Sequence, residues 1–481
     1  MSDNSLLRRT FAGKLSSMQG LAMPLPHIGS MLSRRDLLQL GALGVAASAL
    51  PPVVSAAVNG KRRADSVIAI WLAGGMTHHE SFDPKPDAPV EIRGSLKTIA
   101  TKLPGVRFTE VMPRLAELTD QFALLRTYAA GSDDHLIAQS RQLSGRRTNA
   151  QQITTEPNIG AILAKLHGPR AGFPGYIAIP GTTRPGPPPY NLFVGGWIGE
   201  QYAPFPTGGK PKNEDFTAFV KEAAEEDFNQ QSLRVFPGLD ESRLADRRGL
   251  REAFDSHLAH LEAATADQYR GAFEMLLAPA VRRSLDLSRE ADKTRERYGK
   301  TKIGARCLLA RRLVEAGAGF VMVDYGYDPE YGNLWDNHNA AGQNFPPIGE
   351  MAQRPYHLAG VDRAAAALLE DLATRGLLDR TLVLLLSEFG RTPKINKDAG
   401  RDHWGHCGSI FFAGGGSRGG QVIGTTDKNG AYPITPAYGP WDVAATIYEA
   451  LGVDRQAVLT DREGRRVPLV PEGKPIPGVL G

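Results

Sequence analysis

Residues Thr381 to His406 read TLVLLLSEFGRTPKINKDAGRDHWGH, an apolar run that passes directly into an acid, a glycine, basic residues and two histidines. The run Thr381 to Leu386 has no polar alternation, so it predicts a strand buried on both faces. In α/β proteins the polar site forms where such a strand ends. The search for function therefore starts at Ser387.

Moving outward, Ser66 to Ala73 (SVIAIWLA) is a second run of this kind, ending at Gly74-Gly75 and the polar loop Thr77-His78-His79-Glu80-Ser81-Phe82-Asp83-Pro84. Gly319 to Asp324 leads into Trp335-Asp336-Asn337-His338, and Ser409 to Ala413 ends in Gly414-Gly415-Gly416. Helical patterns lie between them, notably Ala364 to Arg375 closed by Gly376 and Trp441 to Leu451 closed by Gly452. This alternation predicts a three-layer α/β/α sandwich on a mainly parallel sheet. From about Thr207 to Gly299 the chain becomes charged and helical, as expected of an insertion (207–299) within an α/β domain spanning 58–470. The Pro/Gly-rich segment Pro180 to Pro189, with Arg184, reads as a surface loop, and 471–481 as a loose tail. Gly414 to Gly420 lacks the spacing of a dinucleotide or phosphate-binding loop.

The chain has 481 residues, 42% hydrophobic and 22% charged, enough for one large core. Ser33-Arg34-Arg35-Asp36-Leu37-Leu38, the apolar run to Leu50 and Val54-Ser55-Ala56 have the three parts of a twin-arginine export signal within 1–57, with cleavage after Ala56 or Ala57. Met31 offers an alternative start. The apolar run is too short for a permanent anchor, so no stable membrane span is expected after cleavage, and the twin-arginine translocase is the expected partner during export to the periplasm or cell envelope. Removing the leader lowers the formal charge from +4 to about +1, which gives no reason to expect nucleic-acid binding. Cys307 and Cys407 are expected as free thiols.

Asp336 and His338 are two apart, so in an extended segment both side chains point the same way and can share a cation. His403 and His406, three apart, would share a face if helical. Mixed imidazole and carboxylate donors suit a divalent Zn or Mn ion better than Ca. His78, Glu80 and Asp83 are further candidate ligands or loop-forming residues. Glu388 can act as general base, metal ligand or partner of Arg391. Arg391, Lys394 and Arg401 suit an anionic substrate or neutralise nearby acids.

GGMTHHESFDPKP, SDDHLIAQSRQLSGR, LWDNHN, LLSEFGRTPKIN, GRDHWGH and AGGGSRGGQVIGTTD, in this order along nearly all of the mature chain, resemble the DUF1501 family of exported bacterial proteins. That family is similar to the alkaline phosphatase and sulfatase superfamily, which implies an alkaline-phosphatase-like fold and metal-dependent hydrolysis of phosphate or sulfate esters. By that resemblance Ser387-Glu388-Phe389-Gly390 stands where the superfamily has Ser-Asp-His-Gly. His403 stands at its last metal histidine, and Asp336 with His338 at its Asp-x-x-x-His pair with shorter spacing. Gly74-Gly75 replaces a metal-binding aspartate and Phe389 a histidine, which implies a reduced metal centre unless His78, Glu80 or Asp83 rebuilds it. His135 takes the place of the sulfatase nucleophile, where it can serve as nucleophile, acid/base or ligand. Arg141, in the same motif, joins Arg401 and Lys394 as a candidate for holding the anion. Two functions are thus expected to compete: an exported hydrolase of an anionic ester such as a sulfated or phosphorylated glycan, and a degenerate relative that binds a glycan or protein without turnover.

Overall fold

The apolar runs alternate their side chains between two buried faces, and this determines the layers. The computed structural model describes residues 60–181, 191–207, 279–328, 332–339, 343 and 345–481, all within one compact unit, 53–481. The leader, Arg184 and most of the expected 207–299 insertion lie outside the described residues. Of that insertion, the helices Pro279–Leu285 and Asp292–Tyr298 are described.

The main sheet has eight strands: β1 Ser66–Trp71, β2 Phe122–Tyr128, β3 Ile177–Ile179, β4 Phe205–Pro206, β5 Phe320–Asp324, β6 Thr381–Leu386, β7 Gly408–Ala413 and β8 Gln421–Ile423. Their spatial order is β8-β2-β7-β6-β1-β5-β3-β4. Only β7 runs antiparallel to its neighbours. Five helices matter for the layers: α1 His135–Ser144, α2 Ile159–His167, α3 Lys302–Glu315, α4 Leu358–Thr374 and α5 Pro440–Ala450. Ile68, Ile70, Val321, Val323, Val383 and Leu385 pack with α3 and α4 on one face. Val67, Ala69, Trp71, Met322, Leu382 and Leu384 pack with α1, α2 and α5 on the other. The result is the expected three-layer sandwich on a mainly parallel sheet.

Register then determines where the polar loops meet. Trp71 pairs with Leu386 on one side and Asp324 on the other, so β1, β5 and β6 end at one edge. Because β7 is antiparallel, the segment His403 to Cys407 enters the sheet from that same edge, and Gly414-Gly415-Gly416 lies at the far end. Tyr128, the last residue of β2, pairs with Gly408, so the segment leading to His135 leaves at the site edge as well. The expected loose tail is tied down: Ile476 and Val479 are buried, and Gly481 N donates to Gly416 O at 3.0 Å. Cys307 and Cys407 are free and buried. Among the described residues no helix is long and apolar enough to cross a membrane.

Candidate metal centre

Four side chains from three separated segments converge above the β1, β5 and β6 ends. One donor atom from each of His135, Asp336, His338 and His403 lies within 4.8 Å of all the others. His135 opens α1, whose N-cap Asp134 accepts from Ile137 N at 2.9 Å. Asp336 and His338 flank Asn337 on the irregular stretch that follows β5. His403 begins a two-residue strand, His403–Trp404, paired with Gly390–Arg391. That pairing replaces the helical face expected for His403 and His406 and leaves His406 exposed, with its ring against Trp404 and Tyr432.

The three imidazoles are oriented in one way. His135 Nδ1 lies 2.8 Å from Glu388 Oε1, His338 Nδ1 2.9 Å from Asp402 Oδ1, and His403 Nδ1 2.8 Å from the Asp133 carbonyl. Carbonyl and ionised carboxylate oxygens only accept, so each Nδ1 carries the proton and each Nε2 presents a lone pair. All three Nε2 atoms point at Asp336 Oδ1, at 3.2, 3.0 and 3.1 Å. His338 Nε2 and His403 Nε2 are 2.6 Å apart. Two lone pairs cannot bond each other at that distance, and His135 Nε2 is buried with no hydrogen-bond partner. A cation, or shared protons in its place, is what this arrangement stabilises. Donors of a tetrahedral ion with bonds near 2.0 Å stand about 3.3 Å apart, close to the separations from Asp336, so the residues fit a small divalent ion. The side chains are 16–24% exposed, so the cluster opens to solvent.

Neighbours adjust the charges. Burial works to raise Asp336, but the neighbouring His135, His338 and His403 side chains, in so far as they share protons with it, and the Arg391 charge hold it well below the usual carboxylate range. Burial opposes a charge on His135, yet the Asp336 and Glu388 carboxylates beside it raise its pKa; His403 is lowered, chiefly by burial. Glu388 is fully buried and still lowered, because burial is outweighed by His135 and Gln139.

Glu388 is not among the converging donors. Its carboxylate takes Gly74 N at 2.7 and 3.0 Å, Gln139 Nε2 at 2.9 Å and His135 Nδ1, so it orients His135 from behind. Arg391 is buried as well: it donates to the carbonyls of Gly74, Gly75, Trp335 and Arg401 and to Asp336 Oδ1 at 2.9 Å. It staples the loops and balances Asp336 rather than facing substrate. Gly74-Gly75 has a steric role, since a Cβ on Gly75 would lie 2.5 Å from the Phe389 ring and 2.9 Å from Arg391 Nε. Phe389 packs against His135 and His403 with ring centroids 4.8 and 4.9 Å away.

The other expected residues go elsewhere. His78 Nε2 and His79 Nε2 each lie 2.8 Å from a carbonyl, of Gly430 and Asn429, and burial lowers both rings. Glu80 takes Arg401 in a two-pronged pair, its closest contact 2.6 Å, with both side chains buried. Asp83 pairs with Lys85 at 3.0 Å and with Arg126 and Thr426. Held by these partners, His78, Glu80 and Asp83 do not reach the cluster, although His78 Nδ1 is left buried without a partner, and Arg401 is not available to an anion. Arg141 donates to the carbonyls of Ala130, Gly131 and Thr148; Lys394 is exposed. The residues that sequence reasoning missed are Gln139, Asp133, Asp402 and Asn396, whose Nδ2 holds Asp402 at 3.0 Å and the His338 carbonyl at 2.9 Å. Only Asp402 carried a signal, its place directly before His403.

The family model described as "Protein of unknown function (DUF1501)" matches residues 64–480. No curated protein matches the sequence. Among solved structures, a phosphonate monoester hydrolase from Silicibacter pomeroyi is 11% identical with a TM-score of 0.35, covering 82% of this chain and 74% of its own. A sulfatase from Pseudoalteromonas sp. is 13% identical with a TM-score of 0.36, covering 83% and 71%. The lipoteichoic acid synthase LtaP from Listeria monocytogenes is 9% identical with a TM-score of 0.32, covering 88% and 77%.

Proposed function

The chain belongs to the DUF1501 family, and we propose that it is an exported metal-dependent hydrolase of phosphate or sulfate esters with a single-ion centre. The observation that carries this reading is the convergence of three Nε2 lone pairs on Asp336 Oδ1, each imidazole held by an acceptor at Nδ1. Asp336, His338 and His403 would hold the ion, with Zn or Mn favoured by the nitrogen-rich donor set. A divalent ion bound there supplies Lewis-acid charge for an ester oxygen and offsets the anion's charge.

His135 is the proton carrier. Glu388 keeps its Nδ1 proton in place and stabilises the imidazolium, so Nε2 can take a proton from the attacking water and return it to the leaving oxygen. Phe389 packs against the ring from one side, tilted 35° to it. Export rests on the Ser33-Arg34-Arg35 leader, with the twin-arginine translocase as partner and the periplasm or cell envelope as destination.

Chelator-sensitive turnover of aryl phosphates, phosphodiesters or aryl sulfates, abolished in His135→Gln while metal content is kept, supports the hydrolase. Metal without turnover on any of them favours a second reading, in which the protein retains the fold and binds a glycan or protein. The consumption of Arg391 and Arg401 by carbonyls and carboxylates is what favours that alternative.

A further inference from the structure

Asn337 sits between two of the converging donors, yet its own side chain turns the other way. In an extended segment alternate residues face opposite sides, so Asp336 and His338 reach the cluster while Asn337 is buried. Its polar groups are engaged there: Asn337 Nδ2 donates to Leu334 O at 3.0 Å, its carbonyl accepts from Arg401 N at 2.9 Å, and its Oδ1 lies 3.0 Å from His357 Nε2. His357 is the N-cap of α4, fully buried, with its ring stacked on Trp335 at a centroid distance of 4.3 Å. The Asn337 amide already uses its nitrogen on Leu334, so its oxygen faces His357, and the imidazole proton must sit on Nε2. Burial lowers the His357 pKa to about 3, which keeps the ring neutral. An imidazole in a core is costly unless its polar atoms are bonded. Here the bond from Nε2 runs to the residue between two donors, while Nδ1 is buried without a partner.

We propose that His357 is a positioning residue for the candidate metal centre, fixing the Asp336-x-His338 pair through Asn337. A small ion tolerates errors of only about 0.5 Å in its donors. The bolt runs from the helical layer to the ligand segment, on the side opposite the cluster, and touches no donor atom. The proposal rests on the metal reading above.

The test is Zn²⁺ binding by the full-length chain after chelator stripping, measured by competition with a chromophoric chelator, beside the melting temperature of each metal-free protein. His357→Phe fills the space without a donor and should weaken Zn²⁺ binding about 10–100-fold. Asn337→Ala should weaken it to a similar extent, and the double variant by no more than the worse single change, because both cut one path. His357→Gln, which restores a donor, should recover most of the affinity even where its melting temperature falls as far as that of His357→Phe. Equal affinity in wild type and His357→Phe, or loss that tracks melting temperature alone across all variants, overturns the positioning role. Wild type that takes up no Zn²⁺ overturns the metal reading, and the proposal with it.

Discussion

Two histidine and carboxylate clusters crown the same sheet edge and have opposite characters. In the His78 to Asp83 loop each imidazole spends Nε2 on a carbonyl, Glu80 is locked to Arg401 and Asp83 to Lys85 and Arg126, all out of solvent. In the His135, Asp336, His338 and His403 cluster the acceptors take Nδ1 instead, and the Nε2 atoms converge on Asp336 in side chains that are 16–24% exposed. Residue types are nearly the same, and each ring has one bonded nitrogen; what differs is that the free Nδ1 atoms of His78 and His79 are buried and do not converge, whereas the three Nε2 atoms of the other cluster meet at one carboxylate oxygen.

The largest expected effect tests the scaffold half of the contrast. Glu80→Ala leaves Arg401 charged and buried, and should cost about 3–5 kcal/mol of stability in denaturant unfolding, with no change in metal content per folded chain. Loss of metal with unchanged stability would break the contrast. Next comes Glu388→Gln. With its charge gone from behind His135, turnover on whichever ester the protein cleaves should fall about 10–100-fold, with the fold kept.

A smaller and graded effect is expected with pH. The His135 pKa is raised in the folded metal-free protein, so its contribution to stability is complete below the unfolded value near 6.5 and is lost as pH rises through the higher folded value. Asp336 and Glu388 are lowered, so their contributions are present above about pH 4 and are lost as pH falls through their folded values. Relative to His135→Gln, metal-free wild type should therefore lose stability as pH rises above about 6.5, against the opposite trend set by His78, His79, His357 and His403, whose lowered values cost stability as pH falls below about 6.5. Metal uptake should run the other way, tightening with pH and releasing protons, as isothermal titration in two buffers will show. The smallest effect is expected from Lys394→Ala, within about 0.5 kcal/mol and without effect on metal, because that side chain is exposed.

Sequence reading reached the fold because the β1, β5 and β6 runs are buried on both faces, and unbroken apolar runs of that length have few other uses. It reached Asp336 and His338 through their two-residue spacing, and His403 and His135 through the resemblance to the family. It could not separate the two clusters. Which imidazole nitrogen is engaged depends on carbonyls more than 250 residues away in the chain, Asp133 for His403 and Gly430 for His78. Glu388 was placed at the strand end but given the wrong depth, since Gly74 N and Gln139 saturate it from β1 and α1. Gly74-Gly75 looked like a missing ligand and is a clearance for Phe389 and Arg391. His357 carries no motif, and Asn337, although inside LWDNHN, gave no sign of this role, because it exists only once α4 packs beneath the ligand segment.

The most direct test is metal stoichiometry, measured by elemental analysis of protein purified without chelator and reloaded with Zn²⁺ or Mn²⁺ after stripping. The account predicts one ion per chain in wild type and in His78→Ala molecules that fold, and none in His338→Ala or His403→Ala. No ion in wild type, or an undiminished ion in His403→Ala, would contradict it.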